Sequence, residues 1–207
     1  MKAKQFWNNR AAGYDASVQG KYAEAYRKTI EITRQYLNKE SRLLDYGCGT
    51  GIVTNQIAPD VGPVTAVDIS ENMIAIARQK AAELNLSNVT YLDAELTDEK
   101  VQSGGYDVIS TFNLLYFVED LDGLLRKIYE MLPQGGYFLS VTDCLGEKDT
   151  FKSLVISLLM KMKLLPFMRL FSTAELVKTI ENAGFEVVKV ENLFDSPPNL
   201  YIAAQKS

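Results

Sequence analysis

The chain contains no histidine. That removes the usual general base near neutral pH and the commonest metal ligand, so a catalytic imidazole or a histidine-rich metal site is excluded. Cysteine is almost as scarce. Cys48 and Cys144 stand far apart, with neither a disulfide framework nor a zinc spacing around them, and a reducing compartment is expected. No uncharged apolar run is long enough to span a bilayer. The start, Met1 to Trp7, has no apolar core of a secretion signal. The expectation is therefore a cytoplasmic protein. There is no basic excess either: 22 lysines and arginines face 26 aspartates and glutamates, a net charge of −4, and the two signs are interspersed. Phosphate backbones require a basic face, so nucleic acid is not expected as a partner.

What is present is a chain of 207 residues with 47% hydrophobic residues, enough for one domain with a full core. Its organising stretch is Leu43-Leu44-Asp45-Tyr46-Gly47-Cys48-Gly49-Thr50-Gly51. A short apolar strand runs into three alternating glycines, and a helical pattern opens at Ile52. Strand, glycine turn and helix in that order form the first unit of a nucleotide-binding α/β sheet. Glycine permits positive φ in the turn and lets a ligand lie against the backbone. Val64 to Asp68 is the second strand. Asp68 stands about 20 residues beyond the first glycine, where a carboxylate accepts hydrogen bonds from a ribose diol. By itself this pair also admits an NAD-dependent oxidoreductase. The spacing D-x-G-x-G-x-G, however, departs from the dinucleotide G-x-G-x-x-G, whose helix terminus holds a pyrophosphate.

The motif resembles motif I of the class I S-adenosylmethionine-dependent methyltransferases, in particular the small-molecule type of ubiquinone and menaquinone biosynthesis. The resemblance covers nearly the whole chain. Asp93-Ala94, at the exit of strand three, matches the place where that family reads the adenine amino group. Phe112-Asn113-Leu114-Leu115-Tyr116-Phe117 resembles its motif IV, although the family commonly has histidines where Tyr116-Phe117 stand. Pro133-Gln134-Gly135-Gly136 resembles its bend before strand five, and Ala183-Gly184-Phe185 a phrase before strand six. Phe6-Trp7 with Tyr14-Asp15 is similar to its N-terminal segment, in which a tyrosine touches the methionine end of the cofactor. The resemblance thus implies S-adenosylmethionine as cofactor, with S-adenosylhomocysteine as product. The implied contacts are Tyr14, Asp45, Gly47, Cys48, Gly49, Gly51, Asp68, Ile69, Met73, Asp93, Ala94 and Phe112. Asp45, Asp68, Asp93 and Asp143 make four acidic strand ends, which suit an ammonium, a sulfonium, a diol and an exocyclic amine and would repel a dinucleotide.

Catalysis offers no single base. Asp143, Tyr116, Asn113 and Tyr14 are the candidates to orient an acceptor, and no metal site is expected. Ser196-Pro197-Pro198-Asn199 reads as a turn. Residues 145–171 interrupt the alternation with an apolar helical pattern from Phe151 to Leu165, flanked by Lys148, Lys152, Lys161, Lys163 and Arg169. Three readings stand: a helix packed on the sheet, a lid over an apolar acceptor, or a helix on a membrane surface.

The expected fold is α/β, a Rossmann-like doubly wound sheet of seven mostly parallel strands with the last antiparallel. Residues 1–40 form a helical cap, 41–143 the cofactor-binding core, 144–171 a helical lid or insertion and 172–207 the end of the sheet, all in a single domain. The expected activity is methyl transfer to a small, partly apolar molecule. The alternatives are an NAD-dependent oxidoreductase and a non-catalytic S-adenosylmethionine-binding regulatory protein. A monomer or homodimer is expected, with peripheral membrane contact left open.

Overall fold

The structure, a computed structural model, describes residues 3–18, 20–147, 151–162 and 164–207. Lys148 and Lys163 lie outside the described residues, as do the side chains of Phe151, Lys152 and Leu154.

Seven strands form one sheet: β1 Leu43–Tyr46, β2 Val64–Asp68, β3 Val89–Asp93, β4 Val108–Phe112, β5 Tyr137–Asp143, β6 Phe185–Asp195 and β7 Pro198–Lys206. Their order is β3-β2-β1-β4-β5-β7-β6. The first five pair in parallel, and β7 runs antiparallel to both neighbours. The seven strands and the reversed last strand are as the sequence predicts. Strand order reverses between β1 and β4, which opens a crevice beyond their carboxyl ends.

Helices cover both faces. On one side, α3 (Ala23–Thr33), α4 (Thr54–Ile57) and α5 (Glu71–Glu83) pack Ile32, Ile57, Ile74 and Ala77 against Leu43, Ala66, Val108 and Leu139. On the other, α6 (Glu99–Gln102), α7 (Leu121–Met131) and α9 (Thr173–Asn182) pack Val101, Leu125, Ile128, Leu176 and Ile180 against Leu44, Val67, Ile109 and Ile202. The parallel strands are buried on both faces, hence their continuous apolar runs. Helix starts follow the caps written in the sequence. The side chains of Ser70 and Asp120 accept from backbone N–H groups of the first turn, and Ser172 with Glu175 makes a full capping box. Gly184 closes α9 at φ +101°.

Three elements, α4, β6 and β7, differ in length from expectation. The first crossover helix is shorter than Ile52 to Ala58: α4 begins only at Thr54, and Pro59 sits in a 3-10 turn. β6 and β7 extend beyond the Phe185–Val190 and Tyr201–Ala204 that the sequence pattern predicts, and only Ser196-Pro197 turns. Pro198 and Asn199 already belong to β7. Finally, α8 (Phe151–Lys161) is not a packed core helix. None of its described side chains is buried, and Leu158 and Met162 are 57% and 59% exposed. Its base is anchored, however, by buried Cys144 and Phe171 and by the Gly146 N–H donating to the Phe171 carbonyl.

The N-terminal cap consists of α1 (Ala3–Asn8), α2 (Ala11–Val18) and α3. Two polar residues fasten the first two helices to the core. Asn8 accepts from the Ser70 hydroxyl at 2.6 Å and donates to Glu71 at 3.1 Å. Asp15 accepts from the Thr50 hydroxyl at 2.5 Å and pairs with Lys80 at 2.7 Å. Trp7 packs edge-on against Phe117 at 5.0 Å between ring centres.

Candidate active site

The glycine loop closes over the ends of β1 and β2. Gly47, Gly49 and Gly51 all take positive φ, +81°, +55° and +72°, which other L-residues rarely adopt. Each glycine also has a spatial role. A Cβ at Gly51 would lie 2.8 Å from the Tyr91 hydroxyl and 3.2 Å from the Ala77 methyl, so this glycine lets the loop pack on β3 and α5. A Cβ at Gly49 would meet only Tyr14, at 4.0 Å. It would stand in open space between loop and cap, where bare backbone faces a cavity.

That cavity is lined by Trp7 and Tyr14 from the cap, by Tyr46, Gly47 and Gly49, by Asp68, Ile69 and Met73, and by Phe112, Asn113, Leu114, Phe117 and Val118. Asp68 is its one charged wall residue among the described residues. One carboxylate oxygen accepts from Gly49 N–H at 3.0 Å and the other from Ser70 N–H at 2.8 Å. Burial pushes the Asp68 carboxyl up, and these two N–H groups pull it back. The carboxylate is thereby fixed between glycine loop and α5, with its remaining lone pairs toward the cavity.

A second cavity adjoins the first. Trp7, Tyr14, Val18, Tyr22, Ala25, Tyr26 and Thr29 line it from the cap, and Asn113, Tyr116, Asp143 and Asn199 from the core. Trp7, Tyr14 and Asn113 belong to both cavities. Asn113 sits at φ +57°, an uncommon conformation for a residue with a side chain. It follows β4 directly, and its N–H continues the ladder to the Val141 carbonyl at 2.7 Å. The Asn199 amide donates to Asp143 at 2.7 Å and to the Asn113 side-chain oxygen at 3.2 Å. The Tyr14 and Tyr26 hydroxyls meet at 3.3 Å. Burial, reinforced by the charge of Asp143, raises the Tyr116 phenol well above its usual range, so it stays neutral.

The structure thus brings together Tyr14, Gly47, Gly49, Asp68, Ile69, Met73 and Phe112 around one cavity, and Tyr14, Asn113, Tyr116 and Asp143 around the next. It leaves five expected contacts off both linings. Asp45 is buried beneath the loop, where it accepts from the Thr54 and Ser110 hydroxyls at 2.5 and 2.8 Å. Burial raises its carboxyl to about 6. Its role is to tie β1 to α4 and β4, not to meet an ammonium. Gly51 is buried behind the loop, Cys48 is half-buried against the core face that α3 and α5 cover, and burial drives the Cys48 thiol well up. Asp93 is exposed at the end of the outermost strand, and Ala94 donates its N–H to the Asp68 carbonyl. No described residue of 145–171 lines either cavity, and the second cavity is roofed by the N-terminal helices instead. Asn199 was missed by sequence reasoning because its phrase reads as a turn. Asn8 was missed because nothing local marks it. Among the described residues no group of three or more histidine, cysteine, aspartate or glutamate residues converges as a metal site.

The donor set of the first cavity decides between cofactors. No described lysine or arginine lines it, and a fixed carboxylate does. A pyrophosphate would find no counter-charge there. A ribose diol, an apolar-walled purine and a cationic methionine end fit. Fold and site together define the class as the S-adenosylmethionine-dependent methyltransferases. The family model for the methyltransferase domain matches residues 7–190, and the chain belongs to that family. Among its relatives, the malonyl-acyl-carrier-protein O-methyltransferase of Priestia megaterium is 28% identical over 92% of this chain and 73% of its own length. The demethylmenaquinone methyltransferase of Listeria monocytogenes is 30% identical over 53% of this chain, which spans 47% of that protein. Among solved structures, the geranyl diphosphate C-methyltransferase of Streptomyces coelicolor superposes with a TM-score of 0.77 over 99% of this chain and 97% of its own, at 15% identity. The cyclase SpnF superposes at 0.71 over 88% and 81%, at 18% identity. At such identities the likeness establishes the fold and leaves the reaction open.

Proposed function

We propose that this chain transfers a methyl group from S-adenosylmethionine to a small molecule seated in the second cavity. The observation that carries the proposal is the shared wall. Trp7, Tyr14 and Asn113 border both spaces, so a cofactor held on Asp68 and the glycine loop would meet an acceptor held under the cap. Bound S-adenosylmethionine supplies an already activated methyl on a sulfonium. The remaining task is positioning, and near-attack alignment can supply roughly 7–11 kcal/mol of the barrier. In this reading Asp68 orients the ribose hydroxyls, and Ile69, Met73, Leu114 and Phe117 form an apolar wall for the adenine. Tyr14 and Asn113 stand at the junction. Asn199 and Asp143 orient Asn113 and the acceptor, and the cap excludes water. Methyl transfer is also the activity named for the Priestia and Listeria relatives, on a malonyl-acyl-carrier protein and on demethylmenaquinone. Native mass spectrometry of the purified protein tests the cofactor: S-adenosylmethionine or S-adenosylhomocysteine is expected as the retained mass, and NAD would reverse the reading. A retained S-adenosyl ligand with no turnover on any small acceptor would favour the binding-protein alternative.

A further inference from the structure

The segment from α8 to Phe171 carries apolar surface that belongs to neither core. Val155, Leu158, Leu159 and Met162 recur at the spacing with which a helix ordinarily faces a core. None of the four is buried. Among the described residues seven large apolar side chains are exposed, and Leu158, Met162, Leu164 and Phe167 are four of them. The remaining three are spread over the end of α5 and the edge strand β6. The four belong to one folded unit. The Leu164 N–H donates to the Leu159 carbonyl and the Met168 N–H to the Met160 sulfur, both at 3.0 Å, so the chain beyond the helix folds back along it. At its base the Arg169 N–H donates to the Tyr116 carbonyl at 2.6 Å. The charge pattern says what kind of surface this unit fits. From Phe151 to Ala174 the sequence holds Lys152, Lys161, Lys163 and Arg169 and no aspartate or glutamate, in a chain whose net charge is −4. Lys161 and Arg169 are exposed. A second copy docked on the same face across a two-fold axis would bring these cations against one another. An anionic lipid surface offers both an apolar layer and phosphates.

We propose that the α8 unit docks this protein on an anionic lipid surface. Leu158, Met162, Leu164 and Phe167 enter the boundary between headgroups and acyl chains. Lys161 and Arg169 stay at the phosphates, which their long side chains reach from a helix lying in the membrane plane. With 11 residues, α8 is too short to cross a bilayer, which takes about 20, so it lies on the surface. The contact is reversible. Each basic side chain near the anionic surface strengthens it about fivefold, and each apolar side chain fully withdrawn from water about tenfold or more. Salt weakens the charged half and leaves the apolar half. This docking stands apart from the methyl transfer proposed above and needs neither cavity to be occupied.

Flotation with lipid vesicles tests the proposal. One set is phosphatidylcholine alone, and the other contains about one third phosphatidylglycerol. The anionic set should bind the protein about tenfold or more tightly than the neutral set, and raising salt from about 0.05 to about 0.5 M should release most of it. Leu158→Ser combined with Met162→Ser should weaken vesicle binding about a hundredfold, and Lys161→Glu about fivefold or more. Both variants should keep the thermal midpoint and S-adenosylhomocysteine affinity of the wild type. Hydrogen exchange needs no variant. Anionic vesicles should slow exchange across residues 155–170 of the wild-type protein and leave β3, at an outer edge of the sheet, unchanged. No binding to anionic vesicles at millimolar lipid, equal binding to both vesicle sets, or protection that falls outside residues 155–170 would each overturn the proposal. So would wild-type vesicle affinity in the folded double variant. A dimer that forms without lipid and dissociates on the same two substitutions would also overturn it, and would make this face a contact between two copies of the chain.

Discussion

Asp68 and Asp45 are both carboxylates at strand ends a few residues from the same glycine loop, yet their environments assign them different work. Asp68 spends one lone pair of each oxygen on a backbone N–H and keeps the rest for a ligand. Hydrogen bonds to a charged group contribute about 1.5–3 kcal/mol each, so Asp68→Ala should weaken S-adenosylhomocysteine about tenfold to a hundredfold or more. Calorimetry that found wild-type affinity in a folded variant would refute the role. Asp45 faces hydroxyls only and is fully enclosed. Its carboxyl rises from 3.8 to about 6 because burial penalises the charged form. An acid raised in this way binds its proton more tightly folded than unfolded. The associated stability is complete below pH 3.8 and is lost as pH rises through about 6. Asp45→Asn does not ionise, so its stability relative to wild type should climb across that window, by about 3 kcal/mol at most. Urea unfolding at several pH values measures the difference, and a flat difference would show that Asp45 is not charged at a cost.

At the scale of elements, the cap and α8 behave oppositely to what their composition suggests. The cap helices carry many polar residues, yet they supply most of the second cavity's wall, and Asp15 and Asn8 latch two of them to the core. Asp15→Ala removes a charge-assisted pair and a hydroxyl contact. The expected result is a KM for the cofactor raised about tenfold and faster tryptic cleavage after Arg10 or Lys21, with the core melting little changed. An unaltered KM and cleavage rate would mean that the latch is decorative. Helix α8 is rich in apolar residues, yet none of its described side chains is buried and Leu158 stands in solvent. Leu158→Ser and Met162→Ser should therefore change stability by less than about 0.5 kcal/mol. Phe171→Ser, at the buried base of the same segment, should cost several-fold more. Thermal unfolding of the three variants separates the positions, and early melting of the first two would place α8 in the core.

The whole molecule is a two-faced sheet whose ligand crevice lies over the β1/β4 reversal, covered by chain that comes before the sheet begins. A ligand that binds the folded state alone stabilises it by mass action. S-adenosylhomocysteine at about a hundred times its Kd adds about 2.7 kcal/mol, which for a domain of this size raises Tm by roughly 5–10 °C. NAD should give no shift, because no described lysine or arginine lines the cofactor cavity. A shift with NAD and none with S-adenosylhomocysteine would reverse the assignment of the site.

The sequence alone determined the strand, glycine loop and Asp68 of the cofactor site, the caps at Ser70, Asp120 and Ser172, and the seven-stranded order of events. These depend on residues a few positions apart, or on one βαβ unit, where spacing and geometry are nearly the same thing. Tertiary structure alone decided that Asp45 is covered, that Asp93 lies on an outer strand, and that α8 stands off the core. It also decided what lines the second cavity. That cavity joins residues 7–29 to Asn113, Tyr116 and Asp143 and to Asn199 at the far end of the chain. Asn199 reaches it only because β7 runs back antiparallel beside β5, pairing Asn199 with Asp143. No local periodicity records such a meeting. It is fixed by how the strands cross over and by which helices are left to cover the crevice.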